Sequence, residues 1–158
     1  MTAGALNILD DDPDGFFLMI EGGAIDLASH QHQFGRMIEE QWDFDNAVEA
    51  VVEWIETNSS WSETLLIVTA DHETGYITVP ASGPVPIPWA WIPLTVEQAG
   101  EMPAMQWNSS NHTNSLVRLF SKGAGANRLP AFAIGTDPYR GPYLDNTAVG
   151  QIVFDLWP

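Results

Sequence analysis

Apolar positions along this chain fall into two distinct patterns. From about Gln33 to Thr57 there is no proline, and apolar residues recur at helical spacing: Phe34, Met37, Ile38, Phe44, Val48, Val51, Val52 and Ile55. Acidic residues, among them Glu39, Glu40, Asp43, Asp45, Glu49, Glu53 and Glu56, fill most of the remaining turns. The spacing predicts one long amphipathic helix, either continuous or broken near Trp42. On either side lie short continuous apolar runs, Phe16–Ile20 and Thr64–Thr69, which read as buried strands. The first is delivered by the turn cluster Asp10-Asp-Asp-Pro-Asp-Gly15. Strand, long helix, strand is the pattern of a parallel crossover unit, so the fold class expected is α/β.

The remainder is less regular. Six prolines, at 80, 84, 86, 88, 93 and 103, and the tryptophans Trp89, Trp91 and Trp107 mark about 80–108 as an irregular insertion, with one short helix expected around Val96–Gly100. Leu116–Phe120 reads as a further strand and Gly123-Ala-Gly125 as a tight turn. Asp145–Leu156 reads as a closing helix that begins at an Asp/Asn cap and carries Val149, Ile152, Val153 and Leu156 on one face. The whole chain, 1–158, is expected to belong to a single domain.

Charge narrows the partners. With 21 acidic residues against five basic ones, the net charge is −16, which makes nucleic acid a poor partner. The same imbalance would repel a phosphate ester unless bound cations supplied positive charge. There is no cysteine, so a metal would have to be held by His, Asp and Glu. No apolar run approaches membrane-spanning length, and the first ten residues carry no basic region followed by an apolar stretch, so no signal is expected in the chain itself.

Three clusters carry candidate chemistry. Asp26 and His30 are four apart, which on one helical turn points both side chains the same way. A third ligand from the distant His112 would complete three protein ligands with an open fourth position, the arrangement of a catalytic zinc site. Asp71 and His72 follow the second apolar run and are too few for a zinc site by themselves. Glu21, an oxygen donor suited to magnesium, is a single carboxylate and likewise too few. Both acidic clusters fall just past the carboxyl ends of expected strands, where open α/β sheets bind ligands. Taken singly, an Asp-x-x-x-His is more often a solvated helix turn, and His32 reads as a surface residue. Three of the four histidines nevertheless fall in this set.

The segments Phe17-Leu-Met-Ile-Glu-Gly-Gly-Ala-Ile-Asp26, Phe34-Gly-Arg-Met-Ile-Glu-Glu, Asp43-Phe-Asp-Asn-Ala-Val48, Val68-Thr-Ala-Asp-His-Glu-Thr-Gly75, His112-Thr-Asn114, Gly123-Ala-Gly125 and Asp145-Asn-Thr147 resemble alkaline phosphatase, in family order. The resemblance implies part of a three-layer α/β/α sandwich and hydrolysis of small phosphate monoesters with two zinc ions and one magnesium ion. Residue by residue it implies Asp26, His30 and His112 as ligands of one zinc, Asp71 and His72 as ligands of a second, and Glu21 as a ligand of magnesium. It also implies a homodimer in the full-length form, in the periplasm or outside the cell. Leu27, Ala24 and Tyr76 depart from common family residues around the site and bear on substrate and metal preference. The serine nucleophile belongs to the family's N-terminal half, and no Asp-Ser-Ala sequence occurs here. The expectation is therefore a C-terminal portion, inactive alone, with no catalytic residue of its own. The competing expectations are a non-catalytic metal-binding or interaction fragment, and a phosphodiesterase or sulfatase-like member of the same superfamily.

Overall fold

The computed structural model describes residues 1–79 and 98–156. Most of the Pro/Trp-rich insertion, with the first two residues of the short helix expected at Val96–Gly100, therefore lies outside the described residues, and residues 98–100 form a bend and turn closed by the Glu101 N–H donating to the Gln98 carbonyl at 3.2 Å. Among the described residues, four α-helices and six short strands form a mixed helix and strand fold, divided into two units: residues 1–22, 41–71 and 117–158 make the first, residues 23–40 and 72–116 the second.

In the first unit, helix α1 (Thr2–Leu9) is followed by the acidic turn and by residues 15–22, which are in no strand. The strand expected at Phe16–Ile20 is thus not formed. Its apolar run suits a sheet, but a strand exists only where a neighbour completes its hydrogen bonds, and among the described residues none pairs with it. Phe17 and Met19 are left exposed, while Phe16 packs edge-on against Trp54 with ring centroids 5.7 Å apart.

Helix α3 (Phe34–Asn58) confirms the long amphipathic pattern and runs unbroken through Trp42, spanning about 37 Å at the usual rise of an α-helix. Strand β1 (Leu65–Thr69) follows and pairs antiparallel with β4 (Leu119–Gly123), from Leu65 opposite Gly123 to Thr69 opposite Leu119. The parallel partner expected for β1 is therefore replaced, among the described residues, by an antiparallel one. Strand β4 also starts three residues later than the apolar run suggested. Gly123 closes the strand at its other end, opposite Leu65: its φ is +102°, and a Cβ there would lie 1.9 Å from the Thr64 carbonyl oxygen, so only glycine lets the Ala124 N–H reach that oxygen at 2.9 Å.

A 3-10 helix (Ala126–Phe132), the hairpin β5 (Ala133–Asp137) to β6 (Gly141–Leu144), and α4 (Thr147–Leu156) complete the first unit. The expected cap is present, with the Asp145 carboxylate accepting from the Thr147 N–H at 3.0 Å. Leu6, Ile55, Leu129, Ala148 and Ile152 form the buried apolar set of this unit, and Phe120, Ile134 and Phe154 stay exposed.

The second unit is small: α2 (Ala24–His30), the first turns of α3, and two-residue strands β2 (Glu73–Thr74) and β3 (His112–Thr113), antiparallel, with Thr74 opposite His112. A single bridge between Thr78 and Gln106 extends this pairing.

Candidate metal centre

Helix α2 delivers Asp26 and His30 on one face, as their spacing predicts, and β3 carries His112 to them from the far end of the unit. The His30 and His112 Nε2 atoms are 2.9 Å apart. Asp26 Oδ2 lies 3.4 Å from His30 Nε2 and Asp26 Oδ1 lies 3.5 Å from His112 Nε2. Two imidazole nitrogens and a carboxylate thus converge on one point about a third exposed to solvent, Asp26 at 36% and His30 at 31%.

His72 joins the same cluster. Its ring stacks on that of His112 with centroids 3.6 Å apart, and candidate ligand atoms of Asp26, His72 and His112 all lie within 4.8 Å of one another. The pairing of β2 with β3 sets Thr74 opposite His112, and His72 lies two residues before Thr74. Glu21 and Asp71 belong to the first unit, where both are exposed. The six candidate positions are therefore divided, with Asp26, His30, His72 and His112 brought together in the second unit.

The surrounding hydrogen bonds suit metal binding. His30 Nδ1 lies 2.8 Å from the Ser110 carbonyl oxygen, which can only accept, so this nitrogen carries the proton and the lone pair of the neutral ring sits on Nε2, toward Asp26 and His112. The Thr74 hydroxyl donates to Asp26 Oδ1 at 2.6 Å and lies 3.3 Å from His72 Nδ1. A donor on the outer lone pair of a ligating carboxylate, and a carbonyl behind a ligating imidazole, are the outer-shell partners that orient metal ligands. Imidazole and carboxylate donors without thiolate fit zinc and related divalent ions.

Sequence reasoning passed over Thr74, because a threonine in Asp-His-Glu-Thr-Gly has no chemistry of its own until Asp26 is placed beside it. It also passed over Glu73, whose carboxylate accepts from the Tyr76 N–H at 2.6 Å and from the Thr113 hydroxyl, tying β2 to β3. Beyond it the chain turns sharply, with Gly75 at φ +91° and Tyr76 at φ +45°. The Gly75 carbonyl then accepts from the N–H groups of Asn108 and Ser109 at 3.1 and 3.0 Å. His32 is exposed, as its sequence context suggested, yet its ring is hydrogen-bonded and stacked rather than simply solvated.

Comparison with known proteins gives a consistent result. The sequence model of the alkaline phosphatase family matches residues 1–90. Alkaline phosphatase 4 of Bacillus subtilis is 40% identical over 83 residues, which is 52% of this chain and 17% of that protein. Alkaline phosphatase H of Pseudomonas aeruginosa is 30% identical over 142 residues, 87% of this chain and 29% of that protein. The solved alkaline phosphatase from the Antarctic bacterium TAB5 superposes with a TM-score of 0.67 at 25% identity, covering 97% of this chain and 38% of that one. A mutant of that enzyme with one histidine replaced by aspartate, solved with Mg bound in its M3 site, matches equally well. The chain thus spans less than a third of the length of these curated relatives and about two fifths of the TAB5 enzyme.

Proposed function

The chain belongs to the alkaline phosphatase family, and from that premise we propose that it supplies the C-terminal, metal-holding portion of a phosphate monoester hydrolase that works with two zinc ions and one magnesium ion. The observation that carries this reading is the convergence of Asp26, His30 and His112, with two ring nitrogens 2.9 Å apart and a carboxylate oxygen within 3.5 Å of each. Asp26, His30 and His112 would hold one zinc. The resemblance assigns Asp71 and His72 to the second zinc and Glu21 to magnesium, and those sets need further ligands from outside the chain. The Mg bound in the TAB5 mutant supports a magnesium site in this family.

When bound, the metals supply positive charge that polarises the phosphate ester, activates the attacking oxygen and stabilises the leaving group. The chain's own part is to bind and orient. Thr74 holds the Asp26 carboxylate, and the Ser110 carbonyl holds His30 in the tautomer that presents Nε2. With a net charge of −16 and no cationic side chain among these ligands, attraction for an anionic ester must come from the metals. The nucleophilic serine is assigned to the part of the family fold that this chain does not span. Exposed Phe17, Met19, Phe120 and Ile134 support that division, since each is a large apolar side chain that a completed sheet would cover. The proposal extends, through the family, to a homodimer in the periplasm or outside the cell.

The test is hydrolysis of a chromogenic phosphate monoester at mildly alkaline pH with zinc and magnesium, by the purified chain alone and after mixing with the N-terminal portion of the TAB5 enzyme. The expected result is no turnover alone and turnover in the mixture that disappears with His112→Ala. Turnover by the chain alone, lost in the same variant, would place a nucleophile within these residues and overturn the proposal.

A further inference from the structure

We propose that His32 is a positioning residue whose side chain clamps the 107–112 loop so that His112 meets His30 and Asp26; its affinity arm rests on the metal-binding reading above. His32 lies just beyond α2 with φ +55°, a left-handed conformation that is uncommon outside glycine although histidine is among the residues that tolerate it better. The surroundings here are specific. Its backbone N–H donates to the Ser29 carbonyl at 3.0 Å, which turns the side chain away from the helix. Its ring nitrogen Nε2 donates to the Ser109 carbonyl at 2.7 Å, and the ring lies nearly parallel to Trp107, 5.2 Å between centroids and 12° between planes.

His30, two residues earlier, donates to the next carbonyl, that of Ser110, at 2.8 Å. Two imidazoles from one short stretch therefore hold two successive carbonyls of the loop that carries His112. His30 has a second duty, because its Nε2 faces His112. His32 has none, as its Nε2 is spent on the loop. Further along, the loop is held by the Asn111 carbonyl, which accepts from the Gly75 N–H at 3.1 Å, and by the Asn111 side chain, which accepts from the His112 N–H at 3.1 Å. Phe34 packs parallel to Trp107 at 4.4 Å and steadies the ring on which His32 rests. Releasing His32 would loosen this loop at Ser109 and Trp107 without freeing it, since the Asn108 and Ser109 N–H groups still hold the Gly75 carbonyl and His30 still holds that of Ser110; with the β2–β3 pairing intact, the ligands would remain but their convergence would loosen.

The test uses the full chain with His32→Asn and His32→Gln. Asparagine accepts a left-handed backbone better than most residues and is too short to replace the imidazole, so it removes the clamp without adding strain. Hydrogen exchange of the metal-free chain is expected to accelerate in residues 107–113 of the Asn variant and to stay unchanged in β1 and β4. Zinc affinity, measured by competition with a chelating dye, is expected to fall about 3- to 10-fold, the scale of one modest hydrogen bond and one ring contact. Glutamine keeps an N–H donor long enough to reach the Ser109 carbonyl and is expected to recover most of the protection. Exchange at 107–113 equal to that of the unsubstituted chain overturns the clamp, as does acceleration spread equally over β1 and β4, or a Gln variant as unprotected as the Asn one. If the unsubstituted chain binds no zinc, the metal-binding reading fails, and the exchange data alone decide the role of His32.

Discussion

Replacing Gly75 by alanine strikes the candidate site through packing and backbone strain, without altering a candidate ligand. Gly75 has φ +91°, and a Cβ built there would lie 2.3 Å from both Cε3 and Cζ3 of Trp107. Carbon atoms in contact prefer about 3.5–4.0 Å, so the indole would have to retreat by more than an ångström. It cannot do so freely, because Asn108 and Ser109, the next two residues, both donate to the Gly75 carbonyl at 3.1 and 3.0 Å. The left-handed backbone costs an alanine about 1–2 kcal/mol, and forcing the ring aside adds about 1–3 kcal/mol. The sum, about 2–5 kcal/mol, is a large share of the stability of an ordinary domain. At about 3 kcal/mol it corresponds to a fall in Tm of roughly 6–12 °C for a chain of this size. Urea and thermal unfolding followed by tryptophan fluorescence measure it, with zinc affinity expected to fall in parallel because the displaced loop carries His112. A Gly75→Ala protein within about 0.5 kcal/mol of the parent, well inside the scatter of surface substitutions, would refute the packing argument.

Two further outcomes follow from the same contacts. Thr74→Val, which keeps the shape and removes the donor to Asp26 Oδ1, is expected to weaken zinc binding about 10-fold, with Thr74→Ser close to the parent; equal affinities for all three would show that the hydroxyl does not orient the carboxylate. In the β5–β6 turn, Asp137 accepts from the N–H groups of Tyr139 and Arg140, and these hydrogen bonds hold its carboxyl below the usual value of 3.8. A depressed folded-state pKa means its support is complete above about pH 4 and is lost as pH falls through the lower folded value. Amide exchange at Tyr139 and Arg140 should therefore rise in that acidic window, after allowance for the intrinsic pH dependence of exchange, and Asp137→Asn should abolish the extra rise.

Much of this arrangement was legible in the sequence, and the failures have physical causes. The 25-residue helix α3 was visible because its core stripe repeats over seven turns without a proline, and α4 because Asp145 is a side-chain cap. Helix α1 was passed over: its N-terminus has no side-chain cap hydrogen bond, and Gly4 lowers the helix propensity of its first turn. The 16–20 run was overread because apolar content reports that a strand would be buried, whereas its neighbour decides whether it forms. The end of β4 depends on the close approach of Gly123 to Thr64, a contact between distant residues that no local pattern reveals. At the candidate site, Asp26 and His30 were readable from helical geometry, and the meeting with His112 was expected. The contributions of Thr74, Glu73 and His32 could not be read, because each acts on a segment remote in sequence. A two-residue ladder such as β2–β3 has no periodicity to detect.

The most direct test of the central claim is the zinc content and affinity of the purified chain beside His112→Ala and Asp26→Asn, by elemental analysis after dialysis and by calorimetric titration. Zinc held by the parent chain and lost or greatly weakened in both variants is the result expected if Asp26, His30 and His112 form one site. A parent chain that holds no zinc, or variants that hold it as tightly as the parent, would contradict the assignment.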